Sequence, residues 1–288
     1  MSFKSLLFKI TLSINLLLLN ALVLAVEAPR LITMSPHLTE MVYDLGLEKQ
    51  LVATDDASNF PEAVKDIPKI GSGLNPNQEL LLLYQPDIIL SFAPSLTLEK
   101  LQQTQAVDIV ISQPNSVPTL FEDWRKILEI AQKDPQKKLE IEEKLYALET
   151  EWRNTTTSYE NKDTKSIFFL ISAQPLYTLS DKAFLSQALK TCNTHNIFAD
   201  IEQVSFIVNP EDLLLKQPEI IIHGYNVAEN NGKERAKTEI VQHFNKLGIK
   251  LQPQQLVSVD VDILHRPSMR FMNALPQICA DIHAPERQ

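Results

Sequence analysis

Asn77-Gln78-Glu79-Leu80-Leu81-Leu82-Leu83-Tyr84-Gln85-Pro86-Asp87-Ile88-Ile89 has an echo in the second half of the chain, Asn209-Pro210-Glu211-Asp212-Leu213-Leu214-Leu215-Lys216-Gln217-Pro218-Glu219-Ile220-Ile221. Each copy opens on an Asn suited to cap a helix and runs through a short Leu-rich helix. A Gln-Pro-acid turn then leads into an apolar strand. Glu79 and Glu211 fall in the first helical turn, where the helix dipole favours a carboxylate. Any helix–turn–strand unit shares this outline. Coincidence of the Asn, Glu, Gln-Pro and acid positions together points instead to duplication of a whole lobe.

Working outward, each copy belongs to an alternation of strands and helices. Leu31–Ser35, Leu51–Asp55, Asp87–Phe92 and Asp108–Ser112 read as strands of a first set. Ser166–Ser172, Leu176–Leu179, Glu219–His223 and Leu256–Asp260 read as a second. Alternation of this kind predicts parallel sheets covered by helices. Between the sets, Asp134 and Pro135 make a strong helix start. Ile141, Leu145, Leu148 and Trp152 then recur on one helical face, opposite Lys137, Lys138, Glu140, Glu143, Lys144 and Glu151. The expected organisation is therefore an α/β lobe over residues 29–130, one long helix over 134–157, and a second α/β lobe over 160–285. The polar stretch Asn154–Lys165 reads as a loop. A single rigid helix between Rossmann-like lobes predicts small closure on a ligand rather than a wide clamshell motion.

Residues 1–28 have the layout of an export signal. Lys4 and Lys9 precede an apolar run from Ile10 to Ala25, and small residues follow at Ala25 and Ala28. The run approaches the about 17 residues that a membrane span requires. Glu27, Ala28 and Pro29 follow it in place of a positive stop-transfer cluster, so cleavage at Ala25 or Ala28 and a periplasmic product are expected. The first Cys is Cys192, which leaves none near the cleavage site for a lipid anchor. A net charge of −9 excludes the basic footprint of a nucleic-acid binder. The whole chain has two Cys, Cys192 and Cys279, an even pair that reads as a disulfide in an oxidising compartment.

The chain contains no phosphate-cradling Gly-rich loop, no Gly-x-Ser-x-Gly elbow and no His-Glu-x-x-His zinc helix. Its six His residues show no short metal-ligand spacing, and a scattered His is usually a surface or core residue. His37 and His265 stand apart, because each follows a strand, at the carboxyl edge where open α/β sheets gather ligands. A metal-dependent hydrolase built on His37, His265 and Asp262 is the catalytic alternative. It lacks a nucleophile with an adjacent base.

Several stretches together carry a family resemblance. They are Ala28-Pro29-Arg30-Leu31-Ile32-Thr33-Met34-Ser35-Pro36 with Thr39-Glu40, Leu45-Gly46 and Asn59-Phe60-Pro61, then Gln85-Pro86-Asp87-Ile88-Ile89. Cys192 with Asn196-Ile197-Phe198, and Arg266-Pro267-Ser268-Met269-Arg270 ahead of Cys279, complete the set. In this order they resemble the helix-linked class of periplasmic solute-binding proteins, which serve ABC importers of cobalamin, ferric siderophores and haem.

The resemblance implies a monomeric, non-catalytic carrier without a cofactor, its ligand held between the lobes and delivered to an inner-membrane permease–ATPase. It implies that Cys192 and Cys279 are joined, and that Glu79 and Glu211 dock on permease arginines. It places Asp262, Ile263, Leu264, His265 and Arg266 at the ligand, with His37, Phe92 and Tyr177. Ala57 stands where cobalamin-binding members carry a cleft Tyr, and Gly71–Gly73 span the place of a Trp. Trp124 and Trp152 fall on helices away from the cleft. Cobalamin or a related corrinoid is the ligand implied first. A ferric siderophore is an alternative, as is haem, to which His37 or His265 could bind as an axial ligand.

Overall fold

The structure is a computed structural model that describes residues 28–284. The expected export signal lies, but for Ala28, outside the described residues. The first lobe contains, in chain order, β1 (Leu31–Thr33), α1 (Pro36–Asp44), β2 (Leu51–Thr54), β3 (Gly71–Ser72), β4 (Asn75–Pro76), α2 (Gln78–Leu83), β5 (Ile88–Ser91), α3 (Leu96–Thr104), β6 (Asp108–Ile111) and α4 (Val117–Ala131). The long α5 (Pro135–Tyr159) crosses to the second lobe. There β7 (Lys165–Leu170), β8 (Ser172–Ala173), β9 (Leu176–Leu179), α6 (Phe184–Leu189), β10 (Thr194–Asn196), β11 (Ser205–Ile207) and α7 (Pro210–Lys216) come first. They are followed by β12 (Ile220–Tyr225), α8 (Gly232–Lys246), β13 (Leu256–Asp260), α9 (Val261–Leu264) and α10 (Met269–Ile282).

Each lobe holds a four-stranded sheet with parallel pairing throughout, in the order β2-β1-β5-β6 in the first and β10-β7-β12-β13 in the second. The two orders are the same, second-first-third-fourth, when only the strands of each parallel sheet are counted. The repeated sequence is thus a repeated topology. Helices cover both faces, so the strands read as continuous apolar runs, and every residue of β1 and β5 is buried.

The turn that closes each copy of the echo shows why its residues recur. Gln85 and Gln217 both take the left-handed conformation, φ +43° in each, and end their helices. The acid after the Pro then accepts a backbone N–H at the start of the lobe's first strand, one residue ahead of β1 in the first lobe and at the second residue of β7 in the second. Arg30 N donates to Asp87 Oδ2 at 2.7 Å, and Ser166 N donates to Glu219 Oε2 at 2.8 Å.

Three expectations need correction. Leu176–Leu179 is a strand, but it belongs to a small antiparallel sheet, β11-β9-β8, outside the parallel one. Its expected place is taken by Thr194–Asn196, which is too short and polar to read as a strand. The linking helix also runs to Tyr159, so the expected loop begins later. Thr155, Thr156, Thr157 and Ser158 each donate a side-chain hydroxyl to the carbonyl four residues earlier, at 2.8–3.1 Å. The polar run is helical, with its hydroxyls satisfied inside the helix.

The lobes share apolar packing. One cluster joins Leu31 and Leu90 of the first sheet, Trp124 of α4, Leu145 and Leu148 of α5, Phe169 of the second sheet and Leu275 of α10. Smaller clusters lie within each lobe. The disulfide Cys192–Cys279 fastens the turn after α6 to α10. Among the described residues, no helix is long and apolar enough to cross a membrane.

Candidate functional site

In both sheets the first strand sends its successors to opposite sides, β2 and β5 about β1, β10 and β12 about β7. Such a reversal leaves a crevice beyond the carboxyl ends of the strands. A cavity opens at each. In the first lobe about 280 Å³ is lined by Ser35 and His37 after β1, Asp55 after β2, Phe92 after β5, and the Ser72-Gly73-Leu74 tip between β3 and β4. Gly73 is required there, since a Cβ would stand 1.8 Å from the Met34 carbonyl oxygen. In the second lobe about 450 Å³ lies between Leu170–Gln174, His223-Gly224 and one face of α8.

His37 is held in place by the first turn of α1. Its Nδ1 lies 2.9 Å from Ser35 Oγ, and its Nε2 is shielded from solvent with no hydrogen-bond partner. Burial lowers its pKa to about 4, against a partly offsetting backbone contact with Ser112 and with a further lowering by Arg266. The ring is therefore neutral across the physiological range. His223 is likewise lowered by burial, between Ser258 Oγ at 2.7 Å and the Gly224 carbonyl.

Where the lobes meet, charge is concentrated. Glu40 on α1 is only 2% exposed and accepts from Arg266 Nη1 at 3.1 Å and Arg270 Nη2 at 2.6 Å. Arg266 also donates to Asn59 Oδ1 at 2.6 Å and to Asp262 Oδ1 at 2.8 Å, and Asn59 Nδ2 reaches Asp262 Oδ2 at 3.2 Å. Arg270 lies over the Phe60 ring, 4.1 Å from its centre. Asp44 accepts the Met269 N–H at 2.9 Å. Burial pushes its pKa up to about 7, against the lowering by Met269, Lys144 and Arg270. The two lobes are thus stitched by one carboxylate shared between two guanidiniums, a strong charge-assisted arrangement.

Of the residues expected at a ligand, Asp262 and Arg266 belong to this seam, beside the turn that carries Ala57. The Ala57 N–H donates to Asp55 Oδ2 at 3.1 Å. Phe92 and His37 share the first-lobe cavity. Tyr177 stands on β9, its hydroxyl 3.0 Å from Ser205 Oγ. Ile263 packs against the shared core, and Leu264 is buried within it, 2% exposed, while His265 is exposed. Glu79 and Glu211 are exposed on α2 and α7, in the first turn as expected. Glu40, Asn59, Asp44 and Arg270 were not singled out for this role. The Thr39-Glu40, Asn59-Phe60-Pro61 and Arg266–Arg270 fragments carried three of them as part of the resemblance, without this role. Among the described residues, no group of three or more His, Cys, Asp or Glu is placed to hold a metal ion.

The sequence profile of the periplasmic binding protein family matches residues 31–245. The chain belongs to that family. Among curated proteins, the vitamin B12-binding protein of Vibrio vulnificus strain CMCP6 is 26% identical over 281 residues, spanning 96% of this chain and 98% of that protein. The vitamin B12-binding protein of Photorhabdus laumondii is 26% identical over 256 residues, 88% of each chain. Among solved structures, the periplasmic vitamin B12-binding protein BtuF of Vibrio cholerae superposes with a TM-score of 0.77 at 24% identity, over 91% of this chain and 99% of that one. The periplasmic haem-binding protein RhuT of Roseiflexus gives a TM-score of 0.72 at 17% identity, over 89% and 98%. These superpositions agree with the two-lobed, helix-linked α/β architecture.

Proposed function

We propose that this chain is the exported capture component of an ABC importer, which binds cobalamin or a related corrinoid between its lobes and delivers it to the membrane permease. The observation that carries the proposal is the near full-length match to vitamin B12-binding proteins, which runs through both lobes and the linking helix. In this reading the ligand lies beyond the carboxyl ends of the strands. It is faced by Phe92 and His37 from the first lobe, by Tyr177 from the second, and by Asp262, Ile263, His265 and Arg266 beside the seam. Glu79 and Glu211, exposed on equivalent helices, meet cations of the permease, where charge complementarity sets approach and register. The chain acts as a monomeric carrier without catalysis, and residues 1–28 direct export.

The shared core supports limited motion between the lobes, because wide opening would pull Trp124, Leu148 and Phe169 out of apolar contact. Haem is the second reading. It is favoured by the neutral, unpartnered His37 Nε2 beside the first-lobe cavity, although that atom would have to turn outward to reach iron. Calorimetric titration of the mature protein with cyanocobalamin and with haem separates the two. One-to-one binding of cyanocobalamin that survives His37→Ala is the expected result. Heat from haem alone, lost in His37→Ala, would replace the corrinoid assignment with the second reading.

A further inference from the structure

The chain between β2 and β3 carries one side chain to the seam and anchors it on both sides. Ser58 is 3% exposed and ties the turn inward. Its hydroxyl bonds to the Asp55 carboxylate and meets Thr39 Oγ1 at 2.7 Å, and Lys69 Nζ donates to its carbonyl at 2.8 Å. Thr39 is itself bonded to Thr33 and Thr54 at 2.6 and 2.7 Å, so the turn stands on a buried cluster of hydroxyls. On the other side, Phe60 is covered by the Arg270 guanidinium. Asn59 lies between these two anchors and is exposed.

The Asn59 amide answers both members of an ion pair on the opposite lobe. Its Oδ1 accepts from Arg266 Nη1 at 2.6 Å, while its Nδ2 donates to Asp262 Oδ2 at 3.2 Å. Arg266 Nη2 closes the triangle on Asp262 Oδ1 at 2.8 Å. Only a side chain with an acceptor beside a donor completes such a triangle, and its two partners dictate which way the amide points. Glu40 takes a further bond from Arg266 Nη1. Three of the five guanidinium N–H groups are thus committed, which leaves Nε–H and one N–H of Nη2 without a partner among the described residues.

Cohesion between the lobes does not explain Asn59. Buried Glu40 already joins them through both arginines. The Asn59–Asp262 bond lies at the exposed edge of the seam, where water competes and a hydrogen bond adds little to stability. A bond in that place still selects one rotamer for the carboxylate and one rotation for the guanidinium.

We propose that Asn59 is a positioning residue: from the first lobe it orients the Arg266–Asp262 pair of the second, so that the pair meets the ligand in one fixed geometry. The inference rests on the ligand-facing role given to Asp262 and Arg266 above. It makes a contact surface of one lobe depend on a side chain of the other. Side chains ordered before the ligand arrives need not be ordered by it, which is where the gain in affinity lies.

Asn59→Asp keeps the size of the side chain and its acceptor, removes the donor and sets a second carboxylate against Asp262. Calorimetric titration with cyanocobalamin is expected to show affinity about tenfold weaker at neutral pH. Two carboxylates in contact share a proton, so the missing donor returns as the pH falls toward about 5, and affinity should recover with it. Asn59→Leu removes donor and acceptor together and should lose affinity to the same extent at every pH. The ionisable groups around the seam, Glu40, Asp44, Asp55, Lys69, Asp262 and His265, are common to all three proteins, so each variant is compared with the unaltered protein at the same pH. Melting temperatures close to that of the unaltered protein are expected, because Asn59 is exposed.

Affinity equal to that of the unaltered protein in both variants would overturn the positioning role. So would a loss in Asn59→Asp that no fall in pH restores, since a shared proton rebuilds the missing bond and nothing else. If cyanocobalamin gave no heat with the unaltered protein, the corrinoid assignment would fall, and the same titrations with haem would decide the positioning role. Absence of binding by both compounds would remove the ligand-facing role of Asp262 and Arg266, and this inference with it.

Discussion

The two lobes are built on one plan and differ where each faces a ligand. Both have the same sheet order, the same left-handed Gln before a Pro, and an acid after that Pro, Asp87 or Glu219, bracing the first strand. Beyond that frame they part. The first lobe follows β1 directly with α1, so His37 lies at the carboxyl edge. The second inserts the β8–β9 hairpin at the equivalent place, which puts Tyr177 there instead. Arg30 closes the end of α2 through the Tyr84 carbonyl at 2.8 Å, whereas Ser166 exchanges hydrogen bonds with Glu219 itself. Only the second lobe is stapled by a disulfide. Framework residues answer to the sheet and are held to one solution, while the loops beyond the strands are free to diverge toward what they bind.

That contrast can be tested, beginning with the staple. Replacing Cys192 and Cys279 together by Ala opens a loop with a sequence separation of 87. The expected cost is roughly 4–5 kcal/mol by the chain-entropy argument. Urea unfolding should show it, and an unchanged midpoint would mean that the second lobe needs no staple beyond its packing.

Next in size is the seam. Glu40→Ala leaves Arg266 and Arg270 without their shared carboxylate, and the expected loss is about 3 kcal/mol, as for other broken buried pairs. Melting measurements on Glu40→Ala, Arg270→Ala and the double variant would give the coupling. Strict additivity of the two single effects would remove the seam as a link between lobes.

A smaller effect comes from Asp44, whose native pKa is raised from 3.8 to about 7 mainly by burial. The folded chain then holds more protons than the unfolded chain between those values, so this group's contribution to stability falls as pH rises through that window. Asp44→Asn should therefore gain in melting temperature relative to the unaltered protein between about pH 5 and pH 8. Parallel pH profiles for the two proteins would assign the trend elsewhere. His37 acts oppositely: its depressed pKa removes stability as pH falls from 6.5 toward about 4.

The smallest expected effect compares the caps. Asn77 Oδ1 accepts from the N–H groups of Glu79 and Leu80, whereas the Asn209 side chain makes no cap bond and Pro210 occupies the first helical position. Asn77→Ala should cost about 1 kcal/mol and Asn209→Ala close to nothing. Equal costs in thermal unfolding would show that the lobes cap their helices alike despite this difference.

The framework was legible in the sequence because it rests on local patterns. The Leu-rich helices, the Pro-acid turns and the cap at Asp134, which accepts from Gln136 and Lys137, all appear where residue order predicts them. The end of α5 was not legible, since Thr and Ser hydroxyls compete with the backbone and such a run reads as a loop from local preference alone. β10 was missed because three polar residues gain strand character only by pairing with β7. The seam was hidden for a different reason. Glu40 and Asn59 lie more than two hundred positions from Arg266 and Arg270 in the chain, and no local period connects the two pairs.

The apolar cluster that runs through both lobes has an evolutionary consequence. Duplicated halves often remain interchangeable parts, free to be swapped, separated or recombined with those of relatives. Here Leu31 and Trp124 of one half, Phe169 of the other and Leu148 of the linking helix belong to the same interior. A half transplanted from another family member would bring a mismatched wall, with the penalties of voids and overpacking that close-packed interiors impose. The repeat has therefore lost its modularity. Change can accumulate at the loops beyond the strands one residue at a time, but the halves must now evolve as a single body.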